Sequence, residues 1–263
     1  ALSGDGGDEL FAGYGIYKRF KKIYSYPFNF KSPYYNKLIW GNVHKLIPPS
    51  VKGKGLTYYL SLNKEYSFAY LNTWTPGERK KLMLNGLSPV NYEKASELYK
   101  AGILKNKSTN DFMTRMQYLD MRTYMVDDIL TKVDRASMMN SLEVRVPLLD
   151  HKFAELTFKI PSGLKFKKEN QKYIFKQTMA PFLPKNILEH PKQGFAVPIS
   201  LWFKDDLKEY VNDIFYSGDC SLYNYLDRKY VQQKIIGKQI GTRDFSGRIW
   251  MLLFFNEWLK QNQ

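Results

Sequence analysis

The first nine residues, ALSGDGGDE, constrain the fold more than any other stretch of the chain. Ala1 and Leu2 can end a buried strand, three glycines and three carboxylates follow, and an apolar segment beginning at Leu10 is predicted to start a helix. A glycine-rich turn between a strand and a helix favours phosphate, because the turn N–H groups and the helix N-terminus attract anions. The carboxylates suit Mg²⁺ instead, which takes oxygen ligands and bridges to phosphate. The alternative is a polar surface turn, since Gly and Asp are common turn residues.

Size and composition exclude several classes of protein. The chain has 263 residues, 44% of them hydrophobic and 16% aromatic, so it can bury a core and is not mainly disordered. No apolar run approaches the roughly 18 residues that a membrane span needs. Cys220 is the single cysteine, which rules out an intrachain disulfide and a cysteine-rich zinc site. We therefore expect a cytoplasmic protein with no membrane partner.

The formal net charge of +15 makes nucleic acid the first partner to consider. The lysines, however, are scattered along the whole chain, and no zinc finger, helix-turn-helix spacing or RNA-recognition motif accompanies them. A basic nucleic-acid-binding helical domain stays an alternative, but we expect no nucleic-acid partner. Attraction of a phosphate-bearing substrate explains part of the charge equally well.

A charged stripe is predicted near the middle of the chain. Asp128 is expected to cap a helix over residues 129–140. Asp128, Lys132 and Arg135 then lie at i, i+4 and i+7, within about 60° of one another on the helix surface. The alternative is an exposed ladder of ion pairs, which would carry no function.

The apolar segment that follows, residues 142–149, indicates burial. Its two charged residues, Glu143 and Arg145, stand at alternate positions, and buried charges must be paired. We therefore predict that they join the charged stripe in a structured polar site inside the protein.

A further candidate for phosphate chemistry is Lys192, which stands between Pro191 and Gly194. A rigid loop of this composition can aim an ammonium at a phosphate or at charge that develops in a transition state. The alternative is a surface lysine in a turn.

Four segments resemble, in the same order, the signatures of glutamine-dependent asparagine synthetases, and the resemblance covers nearly the whole chain. They are SGDGGDELF (residues 3–11), KVDRASM (132–138), SLEVRVPLLD (141–150) and PKQGF (191–195). Four ordered motifs are far more specific than a single glycine-rich match. The resemblance implies a parent domain of the α/β class, with the adenine-nucleotide α-hydrolase-like parallel sheet and flanking helices of the ATP-pyrophosphatases.

The resemblance also implies a reaction and its participants. The family uses ATP and Mg²⁺ to adenylate the side-chain carboxylate of aspartate, giving β-aspartyl-AMP. Ammonia from glutamine then displaces AMP, so that asparagine and pyrophosphate are formed. Aspartate and ammonia are therefore the expected substrates, and a homodimer is expected for the full-length enzyme. β-Lactam synthetases and lasso-peptide cyclases also adenylate a carboxylate but use an internal amine, so the acceptor stays open.

Site residues follow from the positions that match the family's motifs. Asp5 stands where many members carry a Glu that is important for forming the acyl-adenylate, and Asp8 matches a ligand of Mg²⁺-pyrophosphate. Asp128, with Asp127 as the alternative alignment, matches another functional carboxylate. Lys192 matches the lysine that neutralises charge on the phosphate and the reacting acyl group. The residues expected to bind the cofactor ATP are Ser3, Gly4, Gly6, Lys132 and Arg135.

Two parts of the family are absent from this sequence. It contains no Ser-Gly-Gly-x-Asp-Ser loop, the family's main pyrophosphate grip, and no Walker-type loop. It also lacks the N-terminal glutaminase domain with its N-terminal cysteine, for which Cys220 cannot substitute. We therefore expect residues 1–263 to be one domain, the C-terminal portion of a synthetase domain, predominantly α-helical as it stands and inactive alone. If the opening stretch is ordered, helices of this chain must hold it.

Overall fold

A computed structural model describes the chain outside a set of gaps. The described residues are 1–25, 33–47, 51, 54–61, 74, 76–84, 102, 111–190, 197–218, 220–238 and 244–262. They are predominantly helical and form no β-sheet, because strand-like pairing within them is limited to isolated bridges. The prediction of a largely helical chain is therefore confirmed. No helix in this part is long and apolar enough to cross a membrane.

The structure describes α-helices of very different lengths. In chain order they are α1 (Gly7–Leu10), α2 (Gly15–Ser25), α3 (Pro33–Leu46), α4 (Lys54–Ser61), α5 (Pro76–Leu82), α6 (Phe112–Arg122), α7 (Thr131–Met138), α8 (His151–Lys159), α9 (Ser162–Lys165), α10 (Tyr173–Met179), α11 (Lys185–Glu189), α12 (Ile199–Trp202), α13 (Lys208–Tyr216), α14 (Arg228–Tyr230) and α15 (Ser246–Asn262). Turns of 3₁₀-helix occupy Pro147–Leu149, Ser221–Asn224 and Ile236–Lys238, and π-helical turns occupy Met125–Leu130 and Val231–Ile235.

The chain divides into two compact units. The first comprises residues 1–71 and 97–192, and the second comprises residues 72–96 and 193–263. The second unit packs around α13 and α15, whose Phe215 and Ile249 are fully buried. Within it a bidentate pair joins Arg248 of α15 to Glu78 of α5, at 3.0 and 3.1 Å. All the predicted site residues belong to the first unit.

The opening stretch of the first unit pairs in parallel with residues 143–145. The Ser3 N–H donates to the Arg145 carbonyl at 2.9 Å, and the Arg145 N–H donates to the Ala1 carbonyl at 2.8 Å. Leu2 forms one isolated parallel bridge with Arg145 and is 78% exposed, so the prediction that a buried strand ends there is wrong. Parallel pairing is the arrangement that a doubly covered α/β sheet uses.

The chain turns at Gly6 to enter α1. Gly6 has a φ of 85°, which residues with a Cβ rarely adopt, and an added Cβ would overlap the Leu149 side chain. Leu149 and its neighbours therefore press directly against the backbone of the turn, and glycine is the residue that this approach allows.

Asp128 lies beyond α6, in a segment that differs from its prediction. Asp111 caps α6, because its carboxylate accepts the Thr114 N–H at 3.0 Å. The prediction that Asp128 caps a second helix is wrong, since Asp128 lies inside the π-helical turn Met125–Leu130. Tyr124 is the N-cap of this turn, and the Asp127 N–H donates to the Thr123 carbonyl at 2.8 Å, so the helical turn begins upstream of Asp128.

A buried polar network lies behind the opening turn and ties α1 to α6 and α9. The Tyr14 hydroxyl donates to the Glu9 carboxylate at 2.5 Å, and the Gln117 side-chain amide donates to the Glu9 carbonyl. The Lys165 ammonium donates to the Gln117 Oε1 at 3.4 Å. All three residues are at most 1% exposed to solvent: Glu9, Gln117 and Lys165.

Burial also sets the protonation of the two charged members of this network. It raises the pKa of Glu9, an effect that the Tyr14 hydrogen bond opposes. It lowers the pKa of Lys165 from its ordinary 10.5 to about 8, with Asp111 opposing the change. Both shifts express the cost of taking a charged group out of water.

This lowered pKa predicts a pH-dependent stability. Above about pH 8 the folded protein releases the Lys165 proton while the unfolded chain keeps it to pH 10.5, so the free energy of unfolding rises through this window. The substitution Lys165→Met removes the titrating group. We expect the stability of the wild type relative to this variant to rise by about 2 kcal/mol between about pH 7.5 and 9.5. Urea unfolding followed by far-ultraviolet circular dichroism measures the difference. A difference that does not change with pH contradicts the assignment.

Candidate functional site

The predicted catalytic residue Asp5 lies in the opening turn beside Ser3. The Ser3 hydroxyl donates to the Asp5 carboxylate, and the Asp5 N–H donates to the Ser3 oxygen at 3.3 Å. Both side chains are half-buried, so the carboxylate is oriented yet open to solvent. Gly4 is exposed, and a Cβ there would meet nothing within 4 Å, whereas Gly6 is buried. The structure thus brings together Ser3, Gly4, Asp5 and Gly6 in one turn.

Asp8, the predicted Mg²⁺ ligand, forms an ion pair with Lys172. The Lys172 Nζ lies 2.9 Å from the Asp8 Oδ1, and the two side chains are only 27% and 16% exposed. The pair packs against Gly13, whose N–H donates to the Asp8 carbonyl at 2.7 Å. An added Cβ at Gly13 would overlap the Asp8 Oδ1 and the Lys172 Cε. Glycine at position 13 therefore makes room for the pair.

The carboxylate oxygens of the turn suit a Mg²⁺ ion that is also bound to phosphate. Mg²⁺ is commonly held by one or two carboxylates together with substrate phosphates, not by an all-protein cage. Asp8 supplies such a carboxylate and already accommodates one cationic group, the Lys172 ammonium. No group of three or more His, Cys, Asp or Glu side chains with metal-binding geometry occurs in the described ranges, so an all-protein metal site is not seen there.

Asp128 is connected to the opening turn through two tyrosines. The Tyr124 hydroxyl is hydrogen-bonded to Asp128, and burial followed by the charge of Asp128 raises the pKa of Tyr124. The Tyr124 ring packs edge-on against the Tyr14 ring, with centroids 6.0 Å apart. Tyr14 in turn donates to Glu9 of α1. A continuous chain of contacts therefore joins the turn to the π-helical segment.

The predicted interior polar site is not formed. Asp128, Lys132 and Arg135 are exposed. Glu143 and Arg145 form an ion pair with each other at 2.5 Å, but their side chains are 69% and 77% exposed. The prediction of a buried network was wrong because alternate charges between apolar residues do not require burial when one pair satisfies itself at the surface.

Lys192 and the loop over residues 191–196 lie outside the described residues. The structure therefore places the first part of the predicted site in detail and leaves the role of Lys192 as a prediction. His190, the last described residue before this loop, ends α11 as its C-cap.

Several residues that hold the site were not found from the sequence. Gln171 donates to the Gly13 carbonyl at 2.7 Å, and Lys172 reaches Asp8. Gln117 and Tyr124 hold the turn and Asp128 from α6 and the residues that follow it. None of them stands in a motif, and their contacts arise only when distant segments pack together.

Comparison with known proteins gives the family. The asparagine synthase family profile matches residues 1–260. The chain is 32% identical over 260 residues to asparagine synthetase [glutamine-hydrolyzing] 1 of Bacillus subtilis (strain 168), covering 98% of this chain and 40% of that protein. It is 31% identical over 156 residues to asparagine synthetase [glutamine-hydrolyzing] 3 of the same organism, covering 59% and 25%.

Over a shorter stretch of 98 residues, which cover 35% of this chain and 17% of that protein, the chain is 34% identical to asparagine synthetase [glutamine-hydrolyzing] of Homo sapiens. No solved structure gave a significant match. The chain spans about two fifths of the length of the first curated relatives that it matches. A family match over nearly every residue agrees with the four motifs and with the geometry of the opening turn. The chain therefore belongs to the asparagine synthase family, a family of ATP-dependent ligases.

Proposed function

We propose that this chain is the C-terminal portion of a synthetase domain that converts aspartate to asparagine with ATP, Mg²⁺ and ammonia derived from glutamine. The observation that carries the proposal is the opening turn, in which Ser3, Asp5 and Asp8 stand on a backbone fixed from several sides. Gly13, Gln117 and Arg145 each bond this segment directly, so its side chains are oriented before any ligand arrives.

The proposed chemistry has two steps. In the first, an oxygen of the aspartate side-chain carboxylate attacks the α-phosphorus of ATP, and pyrophosphate leaves. In the second, ammonia attacks the acyl carbon of β-aspartyl-AMP, AMP leaves, and the proton released passes to a carboxylate or to the departing phosphate. Mg²⁺, when bound, neutralises charge on the pyrophosphate.

The residues of this chain would divide these tasks. Asp5 is assigned to formation of the acyl-adenylate, and Asp8 to the metal that accompanies pyrophosphate. Asp128 is preferred to Asp127 as the second functional carboxylate, because Tyr124 orients it. Lys192 would stabilise charge on the phosphate and the reacting acyl group.

The remaining assignments concern binding and assembly. Ser3, Gly4 and Gly6 would contact ATP through the turn, and Lys132 and Arg135 would attract its phosphates from the exposed face of α7. Ammonia would be supplied by a glutaminase domain of the longer protein, which we propose is a homodimer. The isolated chain lacks the family's main pyrophosphate loop, so we propose that it does not catalyse the reaction alone.

The proposal predicts that Lys192→Met lowers asparagine formation by the full-length protein. Because this lysine is proposed to act on charge in the transition state, kcat/KM for aspartate should fall by about 100-fold or more. The matched control is Lys185→Met, since the Lys185 side chain is 84% exposed and pairs with Glu189 at the surface. It should keep its activity within about twofold.

Asparagine, AMP and pyrophosphate are measured after incubation with aspartate, ATP, Mg²⁺ and ammonia. Equal activity of the two lysine variants would contradict the role of Lys192. A full-length protein that makes no asparagine would contradict the assigned acceptor. The isolated chain serves as the negative sample, and robust pyrophosphate release by it would show that the upstream loop is not needed.

A further inference from the structure

Lys172 lies beside Asp8, the proposed metal ligand, although it belongs to none of the four sequence motifs. Its ammonium lies 2.9 Å from the Asp8 Oδ1, and both side chains are largely removed from solvent. A partly desolvated pair of this kind interacts more strongly than a surface pair, because the surrounding dielectric is lower. The cation is therefore a fixed part of the environment that any ligand of Asp8 meets.

An unusual backbone delivers Lys172 to this position. Lys167 and Asn170 form a two-residue hairpin, with reciprocal N–H to carbonyl bonds of 3.0 and 2.8 Å. Its two central residues, Lys168 and Glu169, have positive φ angles of 44° and 67°, and Lys172 has a φ of 54°. Tight hairpins prefer Asn and Gly at such central positions, and each non-glycine residue there costs about 1 kcal/mol.

Hydrogen bonds and an ion pair fix this strained segment against the junction between α1 and α2. The Lys172 N–H donates to the Phe11 carbonyl at 3.1 Å, and the Gln171 amide donates to the Gly13 carbonyl at 2.7 Å. Lys18 of α2 pairs with Glu169 at 2.7 Å. Backbone strain persists only where surrounding contacts over-determine it. Here those contacts fix a lysine that reaches Asp8.

A cavity adjoins Lys172. A cavity of about 410 Å³ lies within the first unit beside α10 and α11, and Lys172 and Gly13 contribute to its wall. Its charged or titratable lining residues are Glu169, Lys172, Lys176, Glu189 and His190. The Glu169 carboxylate pairs with Lys18 at 2.7 Å, and Lys172 and Lys176 are the lysines among the lining residues.

The position of the ammonium has opposite consequences for two forms of the metal. A bare divalent cation on Asp8 is repelled by Lys172, since like charges within a few ångströms oppose each other. A divalent cation that already carries pyrophosphate has a net negative charge and is attracted. We propose that Lys172 is a positioning residue that makes the Asp8 site select the metal–pyrophosphate unit over the free metal. This inference rests on the proposed role of Asp8.

Calorimetric titration of the full-length protein with Mn²⁺ alone and with preformed Mn²⁺–pyrophosphate tests the selectivity. In Lys172→Met the affinity for free Mn²⁺ should rise, and that for Mn²⁺–pyrophosphate should fall, by about three- to tenfold each. Methionine keeps the length of the aliphatic stem, so packing is retained. Lys172→Arg keeps the charge and should keep the wild-type ratio of affinities. Lys159→Met, at an exposed position of α8 outside the cavity lining, is the matched control and should also keep it.

The outcomes separate this inference from the function on which it rests. An unchanged ratio of affinities in Lys172→Met, or a parallel loss of both, overturns the selectivity and leaves only a structural role. Asp8→Asn in the same titrations should abolish the binding of both forms. If it does not, or if the unaltered protein binds neither form, the metal site of the proposed function falls together with the inference.

Discussion

The ion pair between Asp8 and Lys172 is the interaction on which the geometry of the opening turn depends. It joins the first turn of the chain to the segment that enters α10, and it requires the absence of a side chain at Gly13. The backbone of the same junction is bonded by Gln171 and by the Lys172 N–H. The carboxylate proposed to hold a metal is therefore fixed by a cation from a distant part of the sequence.

Around this pair the first unit contains buried polar side chains, whose burial lowers the stability of the fold. Glu9, Gln117 and Lys165 are buried, and the pKa of Lys165 is lowered and that of Glu9 raised by their surroundings. Such a network costs desolvation but allows few alternative arrangements. Three left-handed residues in the hairpin region add strain. The buried network lies behind the opening turn and the strained hairpin lies beside it, where an enzyme of this family would need fixed side chains.

Local rules predicted the parts of the structure that depend on neighbouring residues. The helical character and the glycine turn followed from helix propensity and turn chemistry. Asp128 was misassigned as a cap because the helical turn that contains it begins upstream of it. The role of Lys172 could not be predicted from the sequence. A lysine does not indicate a positive φ, and its contact with Asp8 depends on tertiary packing.

The Asp8–Lys172 pair sits against the backbone of Gly13, and the rate of Lys172 acetylation, measured by mass spectrometry, tests this contact. In Gly13→Ala the new methyl group would displace the pair, whereas at Gly15 a Cβ meets nothing within 4 Å. The account predicts that Lys172 is acetylated several-fold faster in Gly13→Ala than in the wild type, and at the wild-type rate in Gly15→Ala. Equal rates in the two alanine variants would contradict it.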